Sequence, residues 1–265
     1  MSRGLRVAGL ALRAEWTKLR TLPGTAWLLL AVIAVTAAVS AAAAAALSCP
    51  VGGCAADPVK TSLTGVQAGQ AVAAVLAVQA ISGEYGTRMM TVTLTAMPRR
   101  LTVLVAKAAV AGGLVLAAAV AGVGVSVLAG RLILPEHGFT VGHGYPALSL
   151  GDGPVLRAAA GSVLYLTLIA LLSVGIGAAL RDSAVAIGAV LGLLYLFPII
   201  VGAVTDGAWK QHLQQIGPMT AGLDIQATTD LRALPLSPWQ GLGVLALWAF
   251  GALLLGAVVL RLRDA

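Results

Sequence analysis

The sequence predicts an all-α, polytopic membrane protein: six transmembrane helices preceded by an N-terminal amphipathic helix lying in the interface. Composition is the first observation. Of 265 residues, 59% are apolar and only 10% charged, and the mean hydropathy of +0.95 exceeds anything a water-soluble domain requires. The second is charge placement, because the charges cluster between long uncharged runs. A soluble α/β enzyme of this length would spread them over its helix surfaces. Third, the runs are apolar on all sides, which excludes a membrane barrel with its alternating polar and apolar positions.

A hydrocarbon core about 30 Å thick takes roughly 20 helical residues at about 1.5 Å each. Six stretches meet that length: Trp27 to Leu47, Leu63 to Ser82, Leu101 to Leu128, Val155 to Leu180, Ala184 to Val204, and Gly241 to Leu260. Ahead of the first, Leu5, Leu12, Trp16 and Leu19 share one helical face while Arg6, Arg13 and Arg20 share another, the pattern of a helix lying at the membrane surface. Pro23 and Gly24 break that helix and allow the chain to bend like an elbow into the bilayer. An unstructured basic tail is the alternative. Ala41 to Ala46 before Cys49 faintly resembles a cleavage region, but the apolar run is too long for a signal peptide, so the first helix is expected to be retained.

Six spans place both termini on one side of the membrane. Arg3, Arg6, Arg13, Lys18 and Arg20 in the tail, Arg88, Arg99 and Arg100 in the second connection, Arg181 in the fourth, and Arg261 and Arg263 at the end all fall on that side. The opposite loops carry fewer basic residues, so the positive-inside rule makes the termini cytoplasmic. Anionic lipid then accounts for the net charge of +7 without nucleic acid. Cys49 and Cys54 fall in a loop on the other side, where an oxidising compartment permits a disulfide; a bridge and two free thiols both remain open.

The chain forms a single domain, 1–265, within which three segments stand apart: the elbow helix at 1–23, a polar connection at 83–100, and an outer loop at 205–240. In the connection, Thr91 and Thr95 lie one turn apart, as do Met90 and Leu94, consistent with a short helix ended by Pro98 with Arg99 and Arg100 at headgroup level. In the outer loop, Trp209, Leu213 and Ile216 recur at helical spacing beside polar residues, which predicts a short amphipathic helix. It either helps close an outer exit or simply packs on the bundle.

Catalytic chemistry is not expected. There is no Gly-rich phosphate loop ending in Gly-Lys-Ser or Gly-Lys-Thr, so any ATP must be bound by another chain. No ionisable side chain falls in the six cores to serve a proton- or sodium-driven carrier; Lys107 and Arg157 lie near span ends and are expected to snorkel. Gln67 and Gln70 lie within about 60° of each other on a helical wheel and either line a substrate path or bond a neighbouring helix. His137, His143 and His212 all fall in outer loops, which excludes an intramembrane protease of the His-Glu-x-x-His type and leaves no evident metal site. Gly65 with Gly69 and Gly188 with Gly192 match the small-xxx-small packing pattern.

Four groups of residues together resemble the permease subunits of bacterial type-2 ABC exporters. Glu15-Trp16-Thr17-Lys18-Leu19-Arg20-Thr21 resembles the opening motif on that family's elbow helix. Gly83-Glu84-Tyr85-Gly86-Thr87 followed by Leu94-Thr95-Ala96-Met97-Pro98-Arg99-Arg100 resembles its cytoplasmic coupling segment. Leu180-Arg181-Asp182-Ser183-Ala184 with Phe197-Pro198 resembles its tight inner turn and fifth span, and Trp239 with Leu260-Arg261-Leu262-Arg263-Asp264-Ala265 its last helix and tail. The resemblance implies a bacterial cell-membrane protein working as a homo- or heterodimer on two ATP-binding subunits, which hold the ATP and Mg. Glu84, Tyr85, Arg88, Thr91, Thr95, Pro98, Arg99 and Arg100 would then receive the ATPase stroke, alongside Glu15, Trp16, Lys18 and Arg20 of the elbow. Outward movement of a small amphipathic or hydrophobic substrate by alternating access would follow. A non-transporting assembly or immunity component of the same fold is the other functional class.

Overall fold

The computed structural model describes residues 9, 12–18, 23–47, 56–86, 100–140, 148–149 and 151–262. The described residues are helical and contain no strand. A short helix α1 covers 12–18. It is followed by α2 (Pro23–Ala46), α3 (Pro58–Ser62), α4 (Val66–Gly86), α5 (Arg100–Ile133), α6 (Gly153–Leu180), α7 (Ser183–Leu191), α8 (Phe197–Ala203), α9 (Gly207–Ile216), α10 (Pro218–Leu223) and α11 (Pro238–Leu262).

Six helical runs are long and apolar enough to cross a membrane: Pro23–Ala46, Pro58–Gly83, Leu101–His137, Gly153–Leu180, Ser183–Ala203 and Pro238–Leu262. Each coincides with one expected from the sequence. The third is longer than expected, since its 37 residues reach roughly 55 Å at about 1.5 Å per residue, well beyond a hydrocarbon core. The runs alternate in direction, so α1, the close of α4, the start of α5, the α6–α7 turn and the close of α11 share one end of the bundle, here the terminal end. The opposite end is the distal end. The second, third and fourth runs form the centre, with 56%, 61% and 56% of their most apolar windows buried, against 22% for each of the other three. The peripheral runs α2, α7–α8 and α11 keep their large apolar side chains outward, among them Trp27, Ile199, Leu247 and Phe250.

Local sequence sets the ends and irregularities. Asp57 caps α3, accepting from the Val59 and Lys60 amides at 3.0 and 3.1 Å, with Pro58 at the first position, where a missing N–H costs nothing. Between α3 and α4 the ladder shifts to i→i−3 bonds through Leu63–Gly65. The cause is close packing: a Cβ on Gly65 would overlap the Thr36 carbonyl of α2, and the Gly65 amide donates to Ser40 Oγ at 3.0 Å. A Cβ on Gly69 would overlap the Thr36 side-chain hydroxyl, so this small-residue pair does join two helices. Gly188 and Gly192, by contrast, face open space.

At the terminal end, α6 and α7 are joined by two residues. Arg181 takes the left-handed conformation (φ 60°), and Asp182 caps α7 by accepting from the Val185 amide at 2.8 Å. The Arg181 guanidinium donates to the Val259 carbonyl of α11 at 3.3 Å. In the next run, Pro198 has no N–H to give to the residue 194 carbonyl and its ring crowds it. A turn of π-helix at Gly192–Leu196 supplies the extra room just upstream.

Candidate functional site

Among the described residues, polar side chains cluster notably at the two ends of the bundle. The first cluster is at the terminal end. Helix α1 exposes Leu12 and Trp16 but turns Glu15 inward, where it is 2% exposed and ion-paired with Lys107 of α5, itself 1% exposed, at 2.8 Å. Lys18 joins the other Glu15 oxygen at 3.3 Å, and Lys107 Nζ also donates to the Ala80 carbonyl of α4 at 3.3 Å. This corrects the expectation that Lys107 snorkels to the surface. It lies only seven residues into α5, roughly 10 Å along the axis, but a carboxylate on a third element meets it there. A buried charge is tolerated when paired in this way. The acidic residue of the N-terminal tail thereby ties α1, α4 and α5 into one unit.

Those three elements flank the connection expected to receive an ATPase. Glu84 and Tyr85 lie on the last turn of α4 and Arg100 begins α5. Arg88, Thr91, Thr95, Pro98 and Arg99 fall outside the described residues, as do Arg20, Cys49 and Cys54. Nearby, Ser82 Oγ and Ser183 Oγ are 2.8 Å apart, joining the end of α4 to the start of α7.

The second place is at the distal end, where the outer loop re-enters the bundle. Helix α9 forms as its periodicity predicts, capped by Asp206 accepting from Ala208 and Trp209, and stays at the surface with Trp209 exposed. The chain after it turns inward. Ala221, Ile225 and Gln226 are fully or almost fully buried. Glycines make the space: a Cβ on Gly161 would strike Ile225, and one on Gly241 would strike the Ala221 carbonyl. Gln226 Nε2 donates to Ser162 Oγ at 3.0 Å and to the Leu63 carbonyl at 3.4 Å. Asp57 secures the strand of chain beyond, accepting from Thr228 Oγ1 at 2.7 Å and from the Thr229 amide at 3.1 Å, as well as from the Thr228 amide. Burial alone would raise the Asp57 carboxyl, but the hydrogen bonds from Thr228, Lys60 and Thr229 outweigh it and hold the pKa below the ordinary value.

Gln67 and Gln70 part ways. Gln70 is fully buried; it accepts from the Tyr165 hydroxyl of α6 and its amide donates to Met219 Sδ of α10 at 3.3 Å. It thus bonds neighbouring helices, one of the two roles expected of it. Gln67 faces a cavity of about 350 Å³ beneath the re-entrant loop, lined by Lys60, Gln67, Gln214, Met219, Thr220, Leu223, Asp224, Ala233 and Pro235. Burial raises the Asp224 carboxyl, and Lys60 only partly opposes this, leaving the pKa at about 6. A larger concavity, about 660 Å³, runs between α6 and α11 and is walled by Leu172, Ile176, Leu247, Trp248 and other apolar groups. That concavity offers almost only apolar surface, whereas the 350 Å³ cavity is lined by charged and amide side chains as well.

Sequence reasoning missed Lys107, Asp57, Lys60, Gln214 and Asp224 as members of clusters. Glu15 was the available signal for the first, being the one acidic residue among the first 56. Among the described residues no three His, Cys, Asp or Glu side chains converge as a metal site. These features define the chain as an all-helical protein with six helices suited to crossing a membrane. No family model matches it, and no curated protein matches it either.

Proposed function

We propose that this chain is the membrane permease of an ATP-driven exporter, with both termini in the cytoplasm and a separate chain supplying the ATPase. One observation supports this reading above the others: the buried Glu15–Lys107 pair at 2.8 Å. Lys107 also holds the end of α4 through Ala80, so the N-terminal helix and the two helices leading into and out of the 87–99 connection are fastened together at a single point. A force applied to that connection or to α1 is passed to the two central helices rather than lost in a loose tail. In this reading α1 is the elbow helix lying at the inner interface, with Leu12 and Trp16 toward lipid and Glu15 toward the bundle.

The permease carries no bond chemistry. It offers two packings of the bundle whose populations the ATPase shifts, and it moves a substrate that binds them differently. A second copy, or a similar chain, completes the path. The small, mostly apolar interior favours a small amphipathic or hydrophobic cargo. Reconstitution tests the proposal: in lipid vesicles holding this chain and its ATPase partner, ATP turnover is expected to rise with transported substrate. Turnover indifferent to substrate would favour a non-transporting membrane component.

A further inference from the structure

We infer that the distal cavity is a binding site for a zwitterionic amphiphile, with Asp224 receiving the ligand's ammonium group, Lys60 its anionic group, and the wall of Met219, Leu223, Ala233 and Pro235 its hydrocarbon. The assignment concerns the end of the bundle away from the termini and does not depend on the exporter reading. It rests on uncommitted hydrogen-bonding capacity. Lys60, Gln67, Gln214 and Asp224 all line the cavity, yet among the described residues none of the four uses its side chain in a hydrogen bond or an ion pair. Elsewhere in this region polar side chains are spent on the fold: Asp57 on Thr228 and Thr229, Gln226 on Ser162 and Leu63, Gln70 on Tyr165 and Met219, and Thr220 on the Gln214 and Gly217 carbonyls. A chain with only 10% charged residues has here gathered one cation, one carboxylate and two amides around one cavity, with Lys60 and Asp224 near enough to act on each other electrostatically but, among the described residues, with no hydrogen bond or salt bridge between their side chains.

The charges decide the ligand class. A purely cationic guest would meet Asp224 but be opposed by Lys60, and a purely anionic one the reverse. A molecule carrying both charges at one end satisfies both, while the amides of Gln67 and Gln214 can donate to or accept from either group. The half-buried carboxylate is ionised near neutral pH only at a cost from burial, which an ammonium in contact with it would offset. The volume of about 350 Å³ suits a headgroup with part of a chain, and such a group occurs both in free amphiphiles and in membrane lipid.

The full chain in phosphatidylglycerol nanodiscs at pH 7.5, titrated calorimetrically with 2-aminododecanoate and corrected for empty nanodiscs, provides the test. Saturable binding is expected, at least tenfold tighter than that of dodecylamine or dodecanoate. Asp224→Asn and Lys60→Gln should each weaken it at least tenfold, and Gln211→Ala, on the exposed side of α9, should not change it; helicity by circular dichroism checks that each variant is folded. Adding phosphatidylethanolamine to the nanodiscs separates the sources: a weaker apparent affinity marks the lipid headgroup as occupant, and an unchanged one marks the free amphiphile. No saturable binding, equal affinity for the singly charged probes, or unchanged affinity in both charge variants would overturn the assignment.

Discussion

Replacing Lys107 with Met should release helix α1 from the bundle while leaving the bundle itself intact. The substitution keeps most of the length of the side chain and removes its charge, so Glu15, 2% exposed, loses the partner at 2.8 Å. Removing one member of a buried ion pair costs roughly 3 to 5 kcal/mol. Lys18 remains at 3.3 Å from the other carboxylate oxygen and is 31% exposed, which offsets part of the loss, so the expected cost is about 3 kcal/mol. Helix α1 need not stay and bear it, because it can lift and return Glu15 to water; the cost therefore appears as local opening. At about 1.4 kcal/mol per factor of ten, amide hydrogens of 12–18 should exchange roughly a hundredfold faster, while those of α5 and α6 keep their protection. Combining Glu15→Leu with Lys107→Met should restore protection to within about tenfold, since an apolar pair of similar volume commonly replaces a buried ion pair without loss. Hydrogen exchange read by mass spectrometry on the protein in nanodiscs distinguishes the outcomes. Unchanged exchange in Lys107→Met, or a double variant showing the sum of the two single losses, would refute the claim that this pair docks α1.

Further expectations concern packing and pH. Gly175→Ala would drive a Cβ into the Ala252 and Leu253 backbone of α11, which cannot swing aside as a side chain would. Overpacking of that kind costs about 1 to 3 kcal/mol or more and should lower the midpoint of thermal unfolding in detergent. Gly188→Ala, facing open space, should hold or slightly raise it; equal midpoints for the two variants would contradict the packing. The two distal carboxylates should act in opposite directions. Asp57 has a lowered pKa, so its contribution is present above the unfolded value of 3.8 and is lost as pH falls through its folded value. Asp57→Asn should expose the amides of 227–229 to exchange at neutral pH, as acid does to the unaltered chain. Asp224 has a raised pKa of about 6; its contribution is full below 3.8 and is lost as pH rises through about 6. Stability should therefore decline between pH 4 and pH 7 by a component that Asp224→Asn removes, and a profile unaltered by that substitution would contradict the burial of this carboxyl opposite Lys60.

The six long helices were legible because their signal is length and composition, which needs no partner to be read. The α6–α7 turn was legible for a local reason as well: Arg181 and Asp182 interrupt the apolar run, and Asp182 caps the next helix through its own neighbour, Val185. Helix α9 showed in the spacing of Trp209, Leu213 and Ile216. What could not be read depended on contacts between distant parts of the chain. The burial of Lys107 is decided by Glu15, 92 residues away; without it the same lysine near a helix end would reach for water. The re-entry of 218–226 is decided by Gly161 on α6 and Gly241 on α11, since the segment itself is too short and irregular to announce a buried position. Gln67 and Gln70 illustrate the boundary. Their shared helical face was visible, but that one lines a cavity and the other is consumed by Tyr165 and Met219 follows from the loop folded over them.

The proposal that this chain converts the work of a separate ATPase is tested most directly by measuring ATP hydrolysis and complex formation together. Purified chain alone is expected to bind no nucleotide and hydrolyse none. Mixed with its ATPase partner in vesicles, it should co-purify with that partner and stimulate its turnover, and Glu84→Ala, or Arg99→Gln with Arg100→Gln, should weaken both at matched expression. Specific nucleotide binding by the isolated chain, or association and turnover unchanged in both variants, would contradict the account.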